Sequence, residues 1–281
     1  MKERAPPQSA LGLAAQEEQW PRGVVSFLPE RDGEAPGFDP ENLTAIAELE
    51  HNFWFEHRRG VILDCLERHA NRDHRGLECG SGTGNMAAFL RDHGFDVQPS
   101  DIDRRGAEHV LARGFTRVLL LDLRVVPFRE RYDWVGMFDV LEHIDDDQLA
   151  LHNVAEMLRP GGLVLLTVPA HRLLWSRFDE LNYHRRRYSK RTLAGLLKHT
   201  GFDVLELRFI FSFLYGPMLV RRLLSPATGG APTTDEFHRA ARTGSAGHWV
   251  ARRLCAGERR ALRHGLAPPL GGSLLVVGRK R

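Results

Sequence analysis

Three acidic residues close three successive short apolar runs of this sequence: Glu78 in Gly76–Cys79, Asp101 after Asp96–Pro99, and Asp122 after Arg117–Leu121. A carboxylate so placed can accept hydrogen bonds from ligand hydroxyl or amino groups, or pair with a cation. Singly, each is more often a solvated loop or helix-cap residue; the three in series point to a ligand. Glu78 leads into Cys79-Gly80-Ser81-Gly82-Thr83-Gly84, where glycine lets a backbone turn tightly and approach a bound molecule. The dinucleotide fingerprint G-x-G-x-x-G would need glycine at 85, which is Asn85. Glu78 would also repel a pyrophosphate and attract an ammonium. Asp101 lies 17 residues after Gly84, where an acid can accept from both hydroxyls of a ribose.

A second group could move protons. His143, His171 and His184 each lie beyond the end of an apolar run, on the same side as the glycine loop. A histidine can act as a general base near neutral pH, although any one of them is more often a hydrogen-bonded structural residue. His184 ranks first, because it sits in Asn182-Tyr183-His184-Arg185-Arg186-Arg187-Tyr188. There Tyr188 could assist, while Arg186 and Arg187 offer forks that suit carboxylate or phosphate oxygens. His143 ranks second and His171 third. Segment 209–224, apolar and ending near Arg221-Arg222, would form a wall of the acceptor pocket; it could equally be ordinary packing, a dimer face or a membrane-surface helix.

The elements that must position these groups alternate. Apolar runs at 76–79, 96–99, 117–121, 134–138, 163–168 and 204–211 are separated by helical stretches near 84–93, 104–112, 147–158 and 190–200. Such alternation predicts a doubly wound, mostly parallel sheet with ligands beyond the carboxyl ends of its strands. Asp39-Pro40-Glu41 resembles a helix start, and Leu43, Ile46, Leu49 and Phe53 follow at helical spacing. A second helix follows, with Val61, Ile62, Cys65 and Leu66 on one face. The expected organisation is a loose arm at 1–38, a helical cap at 39–75, a core at 76–212, a helical insertion or lid at 213–269 and a closing strand at 270–281.

In this order of motifs the sequence resembles the class I S-adenosylmethionine-dependent methyltransferases. Leu77–Gly84 is similar to their first motif, and Asp101, Asp122, Phe138–Ile144 and Leu158-Arg159-Pro160-Gly161-Gly162 follow as expected. The cofactor, S-adenosyl-L-methionine, carries an ammonium and a sulfonium and no phosphate, which agrees with Glu78 and Asn85. The resemblance covers about residues 50–212 and 273–278, and is nearest the small-molecule branch holding ubiquinone-type O-methyltransferases and natural-product enzymes. It implies an α/β fold with a seven-stranded, Rossmann-like sheet. It also implies that Gly80 and Gly82 approach the methionine portion, Glu78 meets the amino group and Asp101 holds the ribose. Ile102 would pack on the adenine, Asp122 and the Leu123 amide would read its edge, and the Phe138 carbonyl would meet the ammonium. Asn52-Phe53-Trp54-Phe55 and Arg58-Arg59 recur in one branch, which brings Trp54 and Arg58 to the cofactor. The implied activity is methyl transfer to a small-molecule acceptor, with oxygen the expected atom, in the biosynthesis of a secondary metabolite or similar compound. Transfer to nitrogen or carbon, or S-adenosylmethionine binding without transfer, are the alternatives.

Composition narrows the classes. The chain has 281 residues, 42% hydrophobic and 27% charged, which is ordinary for a folded domain. A net charge of +3 from 39 basic and 36 acidic residues gives no argument for nucleic acid. Base-methylating Asn/Asp-Pro-Pro-Tyr motifs are absent, with Phe138-Asp139-Val140-Leu141 in their place. Cys65, Cys79 and Cys255 are far apart and show no metal-ligand spacing, so no metal is expected and a reduced cytoplasm is the expected setting. The most apolar segment, 209–220, holds Ser212 and Gly216-Pro217 and is shorter than the roughly 20 residues of a spanning helix. A homodimer is a further expectation.

Overall fold

Runs rich in Val, Leu and Ile, each bounded by glycine or charge, become strands, and the stretches with helical spacing between them cover both faces. A computed structural model describes residues 22–28, 50–224 and 245–281. Its elements in chain order are β1 (Gly23–Ser26), α1 (Phe53–His69), β2 (Arg75–Cys79), α2 (Asn85–Asp92), β3 (Asp96–Asp101), α3 (Arg104–Ala112), β4 (Arg117–Leu120), β5 (Tyr132–Phe138), α4 (Asp147–Met157), β6 (Leu158–Pro169), α5 (Arg177–Leu181), α6 (Lys190–His199), β7 (Phe202–Ile210), α7 (Ser212–Leu224), α8 (Ser245–Arg263) and β8 (Ser273–Lys280). The strands form one sheet in the order β1-β4-β3-β2-β5-β6-β8-β7. All run parallel except β8, which is antiparallel to β6 and β7. The chain winds outward in opposite directions from β2 and β5, which makes their carboxyl ends the switch point where an open sheet holds its ligand.

The doubly wound class expected from the sequence is therefore correct, but the described residues contain eight strands instead of seven. The extra one is β1, inside the segment expected to be a loose arm. Its Val24-Val25 pair suits a strand, and it lies in register with Arg117–Leu120, with Val25 fully buried. The helix expected from Asp39 falls outside the described residues, as do residues 225–244 of the helical insertion expected over 213–269. Phe53, expected in that first helix, instead opens α1, where the Asn52 side chain accepts from the Trp54 amide at 3.1 Å.

Helices α1 and α8 pack on one another. Phe53 of α1 meets Ala251 and Cys255 of α8 in a small apolar cluster. Glu258 of α8 accepts from His57 Nε2 at 2.6 Å and from the backbone amides of Phe211 and Ser212 at 2.8 and 2.6 Å. It thereby ties α8 to α1 and to the corner where β7 turns into α7. Among the described residues no helix is long and apolar enough to cross a membrane.

Candidate functional site

β2 ends by carrying Glu78 into the interior, and the loop behind it turns at once. Gly80 and Gly82 both take left-handed backbone angles, φ +74° and +52°. A side chain on Gly80 would strike Val140 Cγ2 at 2.5 Å, whereas the space beside Gly82 is open. The loop is thus pressed against the β5 end on one side and clear on the other, as a backbone cradle for a ligand requires. Asp101, at the end of β3, fixes the loop: Oδ2 accepts from the Gly82 amide at 2.7 Å and Oδ1 from the Asp103 amide at 2.9 Å. A carboxylate has about four acceptor positions, so acceptor capacity is left for a ligand hydroxyl. Burial raises the Asp101 pKa.

Glu78 is 2% exposed, and its Oε2 has no hydrogen-bond partner among the described residues. Burial pushes its pKa up to about 8, against the pull of Arg58. An orphaned buried carboxylate oxygen beside an open glycine loop fits the amino group of S-adenosylmethionine. Arg58 reaches over the same place from α1 and pairs with Asp139. Ile102 is 39% exposed, an apolar surface that a flat ring could cover. Asp122 is held by Arg124, with Nη2 to Oδ2 at 2.6 Å, and Leu123 is buried, its carbonyl accepting from Asn153 Nδ2 at 2.9 Å. Phe138 is buried at the end of β5. The Trp54 ring stacks on Phe211 at 3.7 Å between centroids, 4° from parallel.

On the other side of the β5 end lies a second cluster that the sequence analysis only partly found. Glu142 is fully buried, and neither of its carboxylate oxygens has a hydrogen-bond partner among the described residues. Burial and nearby Asp139 push its pKa well above the usual carboxylate range. Its backbone carbonyl accepts from the Arg185 amide at 2.8 Å, which lays segment 182–188 over the β5 loop. That segment brings His184 to His143, ring centroids 4.9 Å apart and edge-on. His184 Nδ1 contacts Asp179 Oδ1 at 2.9 Å, and its Nε2 faces Glu142 Oε1 at 3.9 Å. Burial and then His184 push His143 down to about 4. Burial opposes ionisation of Asp179, but hydrogen bonds from His184 and Arg187 hold its carboxyl below the usual range.

The rest of the polar run is committed to the fold. Arg187 donates to Asp179 Oδ1 at 2.7 Å and to the Ala170 carbonyl at 3.0 Å, and its side chain is 3% exposed. Arg186 donates to the Asp145 carbonyl at 2.6 Å and pairs with Asp147 at 2.8 Å. The Tyr188 ring lies in the main core, its hydroxyl donates to Asp147 Oδ2 at 2.8 Å, and burial raises its pKa. His171 stacks on Phe209 and meets Tyr215 of α7 edge-on, and burial, then Arg187, lower its pKa. The structure therefore brings His143 and His184 together, sets His171 against the 209–224 wall, and turns Arg187 and Tyr188 inward. Glu142 and Asp179 were missed. The sequence signal for Glu142 was an acid directly before His143 at a strand end.

Strain marks the same rim. Five non-glycine residues have left-handed φ among the described residues, and four of them are Asp139, His171, Tyr183 and Phe211, at +55° to +58°. Such angles persist where the surrounding structure holds them, which is common at functional sites.

A methyltransferase-domain family model matches residues 54–207, over half of the chain. A Mycolicibacterium smegmatis protein described as a probable S-adenosylmethionine-dependent methyltransferase is 33% identical over 168 residues, 58% of this chain and 64% of that protein. The O-methyltransferase resE of Aspergillus sclerotiorum is 30% identical over 145 residues, 46% of this chain and 55% of that one. The matched stretch thus spans under two thirds of either relative's length. In fold, the chain is similar to phosphoethanolamine N-methyltransferase 2 of Haemonchus contortus, solved with S-adenosyl-L-methionine, at a TM-score of 0.52 and 17% identity over 86% of this chain and 57% of that one. The chain belongs to the class I S-adenosylmethionine-dependent methyltransferases, and its cofactor is S-adenosyl-L-methionine.

Proposed function

We propose that the protein transfers the methyl group of S-adenosyl-L-methionine to a hydroxyl oxygen of a small molecule in a biosynthetic route such as that of a secondary metabolite. The observation that carries this reading is the convergence, on one set of strand ends, of the Glu78–Gly82–Asp101 cradle and the Glu142–His143–His184 cluster. The cofactor supplies a methyl group already activated on a sulfonium, so the protein's main task is to hold donor and acceptor in line. Such positioning is worth about 7–11 kcal/mol.

Glu78 takes the amino group, Gly80 and Gly82 line the methionine portion, and Asp101 accepts from the ribose. Ile102, Asp122 and the Leu123 amide bound the adenine, while the Phe138 carbonyl and Arg58 lie at the methionine end. Trp54 acts one step removed, by fixing α1 against Phe211. The acceptor lies against His143 and His184, with His171 and α7 as its wall. Arg187 and Tyr188 hold His184 and its strap in place instead of touching the acceptor. Oxygen is favoured because a hydroxyl must shed a proton as it is methylated, and basic groups gather where it would lie. The O-methyltransferases among the relatives agree. Three buried free cysteines suit a reducing, cytoplasmic setting.

The test is to incubate the protein with methyl-labelled cofactor and a panel of phenols, catechols and alcohols. Label should appear as a methyl ether, and His184→Ala should lower turnover at least tenfold with little change in cofactor affinity. Label found on nitrogen or carbon, or no transfer from a cofactor that binds, would replace this reading.

A further inference from the structure

We propose that Glu142, His143 and His184 bind a divalent transition-metal cation. One ligand atom from each residue lies within 4.8 Å of the others. A cation of the zinc or manganese class sits about 2.0–2.2 Å from imidazole nitrogen and carboxylate oxygen. Its ligands are then about 3–4 Å apart, so small side-chain rotations close the set.

The contact between His184 and Glu142 is the most telling. Asp179 Oδ1 lies 2.9 Å from His184 Nδ1; in the tautomer whose Nδ1–H donates to Asp179, the lone pair of Nε2 faces Glu142 Oε1, 3.9 Å away. An ionised Glu142 oxygen facing that lone pair is repelled by it unless a positive charge lies between them. A shared proton would draw them to hydrogen-bond distance, about 2.6–3.2 Å. A cation about 2 Å from each spans the observed gap. Asp179 meanwhile does for His184 what a carboxylate commonly does for a metal-bound histidine: it fixes the tautomer and the ring.

Charge accounting agrees. The carboxylates around the site are Asp139, Glu142 and Asp179, and the cations facing it are Arg58, Arg185 and Arg187; Arg185 is paired with Asp145 at 3.2 Å. Arg58 is paired with Asp139, and Arg187 with Asp179 and the Ala170 carbonyl. Glu142, fully buried and with both oxygens unsatisfied, is left over. A buried acid without a partner is costly, and metal coordination is one of the few ways to keep its charge.

Two imidazoles and one carboxylate suit zinc, manganese, cobalt or iron better than magnesium or calcium, which prefer oxygen alone. Three protein ligands leave coordination positions open. In the O-methyl transfer reading, on which this consequence alone rests, the open side meets the acceptor. A Lewis acid there lowers the pKa of a hydroxyl without a dedicated base. No metal-ligand spacing is visible in the sequence because the ligands come from two segments about forty residues apart, joined by the fold.

The experiment uses tag-free, chelator-stripped full-length protein with neither cofactor nor acceptor, so it can fail while methyl transfer stands, and the reverse. Equilibrium dialysis against Zn2+, Mn2+ or Mg2+ should give one Zn2+ or Mn2+ per chain and little Mg2+. Pulsed electron paramagnetic resonance of the Mn2+ form should show couplings to two imidazole nitrogens, a readout that needs no variant. Glu142→Gln and His184→Ala should each abolish stoichiometric binding with thermal unfolding retained, and Asp179→Asn should weaken it about 10- to 100-fold. No stoichiometric binding by the wild type, binding without nitrogen couplings, or binding unchanged in both variants would overturn the assignment.

Discussion

Replacing Glu78 by glutamine isolates the charge that we assign to the cofactor's amino group. In the free protein burial raises Glu78 to about 8, so at pH 7 the group is about nine-tenths protonated. Pairing with an ammonium requires the carboxylate, so binding S-adenosylhomocysteine at pH 7 should release about 0.9 proton. Ionising Glu78 at that pH costs about 1.4 kcal/mol, while the charge-assisted bond returns about 1.5–3 kcal/mol. The net gain at pH 7 is therefore small. It grows by about 1.4 kcal/mol per pH unit only while Glu78 is still being ionised. Affinity should rise nearly tenfold from pH 6 to pH 7, less from 7 to 8, and then level off until the ligand's own amino group deprotonates. Glu78→Gln keeps the shape but cannot ionise, so its affinity should stay flat over the same range and its proton release should vanish. Calorimetry in buffers of different ionisation heats measures both quantities. Proton release below about 0.2 in the wild type, or a pH profile that the glutamine variant shares, would refute the pairing of Glu78 with the amino group.

Asp101→Ala should weaken S-adenosylhomocysteine binding about 10- to 150-fold, for about 1.5–3 kcal/mol of charge-assisted bonds; calorimetry would show it, with far-UV circular dichroism unchanged. Residues 50–60 should exchange amide hydrogen more slowly when that ligand is added. Glu50 bonds to Asn85 Nδ2 at 2.5 Å and Arg113 Nη2 at 2.6 Å, which couples α1's entry to the helix behind the glycine loop; deuterium uptake read by mass spectrometry tests this. Glu258→Ala leaves His57 and the Phe211 and Ser212 amides without their acceptor, and should cost about 3–5 kcal/mol, or roughly 6–20 °C in Tm. Burial works to raise the Glu258 pKa, but His57 and Ser212 hold it below the usual value. Its contribution is therefore present above the unfolded carboxylate pKa and lost as pH falls through the folded one, so the Tm gap between wild type and variant should narrow at acid pH.

The cradle was legible in the sequence because each of its parts is local. Glu78 and Asp101 stand at strand ends that the apolar runs already mark, and the glycines at 80, 82 and 84 mark the tight left-handed turn beside them. β1 was not legible, because Gly23–Ser26 is short and finds its partner only at Arg117–Leu120, some ninety residues on. The polar run 182–188 was legible as a functional segment but not in its division of labour. His184, Arg187 and Tyr188 look equally reactive as letters. The fold separates them by partner: Asp179 and the Ala170 carbonyl hold Arg187, Asp147 holds Tyr188, and His184 keeps a ring nitrogen turned toward Glu142. Glu142 shows the converse. Its letter is unremarkable beside a strand end, and its interest lies wholly in the bonds it does not make. Residue type tells which groups could act; burial together with unfilled bonding capacity tells which are still available to act. By that criterion Glu78 and Glu142, one on each side of the β5 end, are the buried carboxylates among the described residues with oxygens left unbonded.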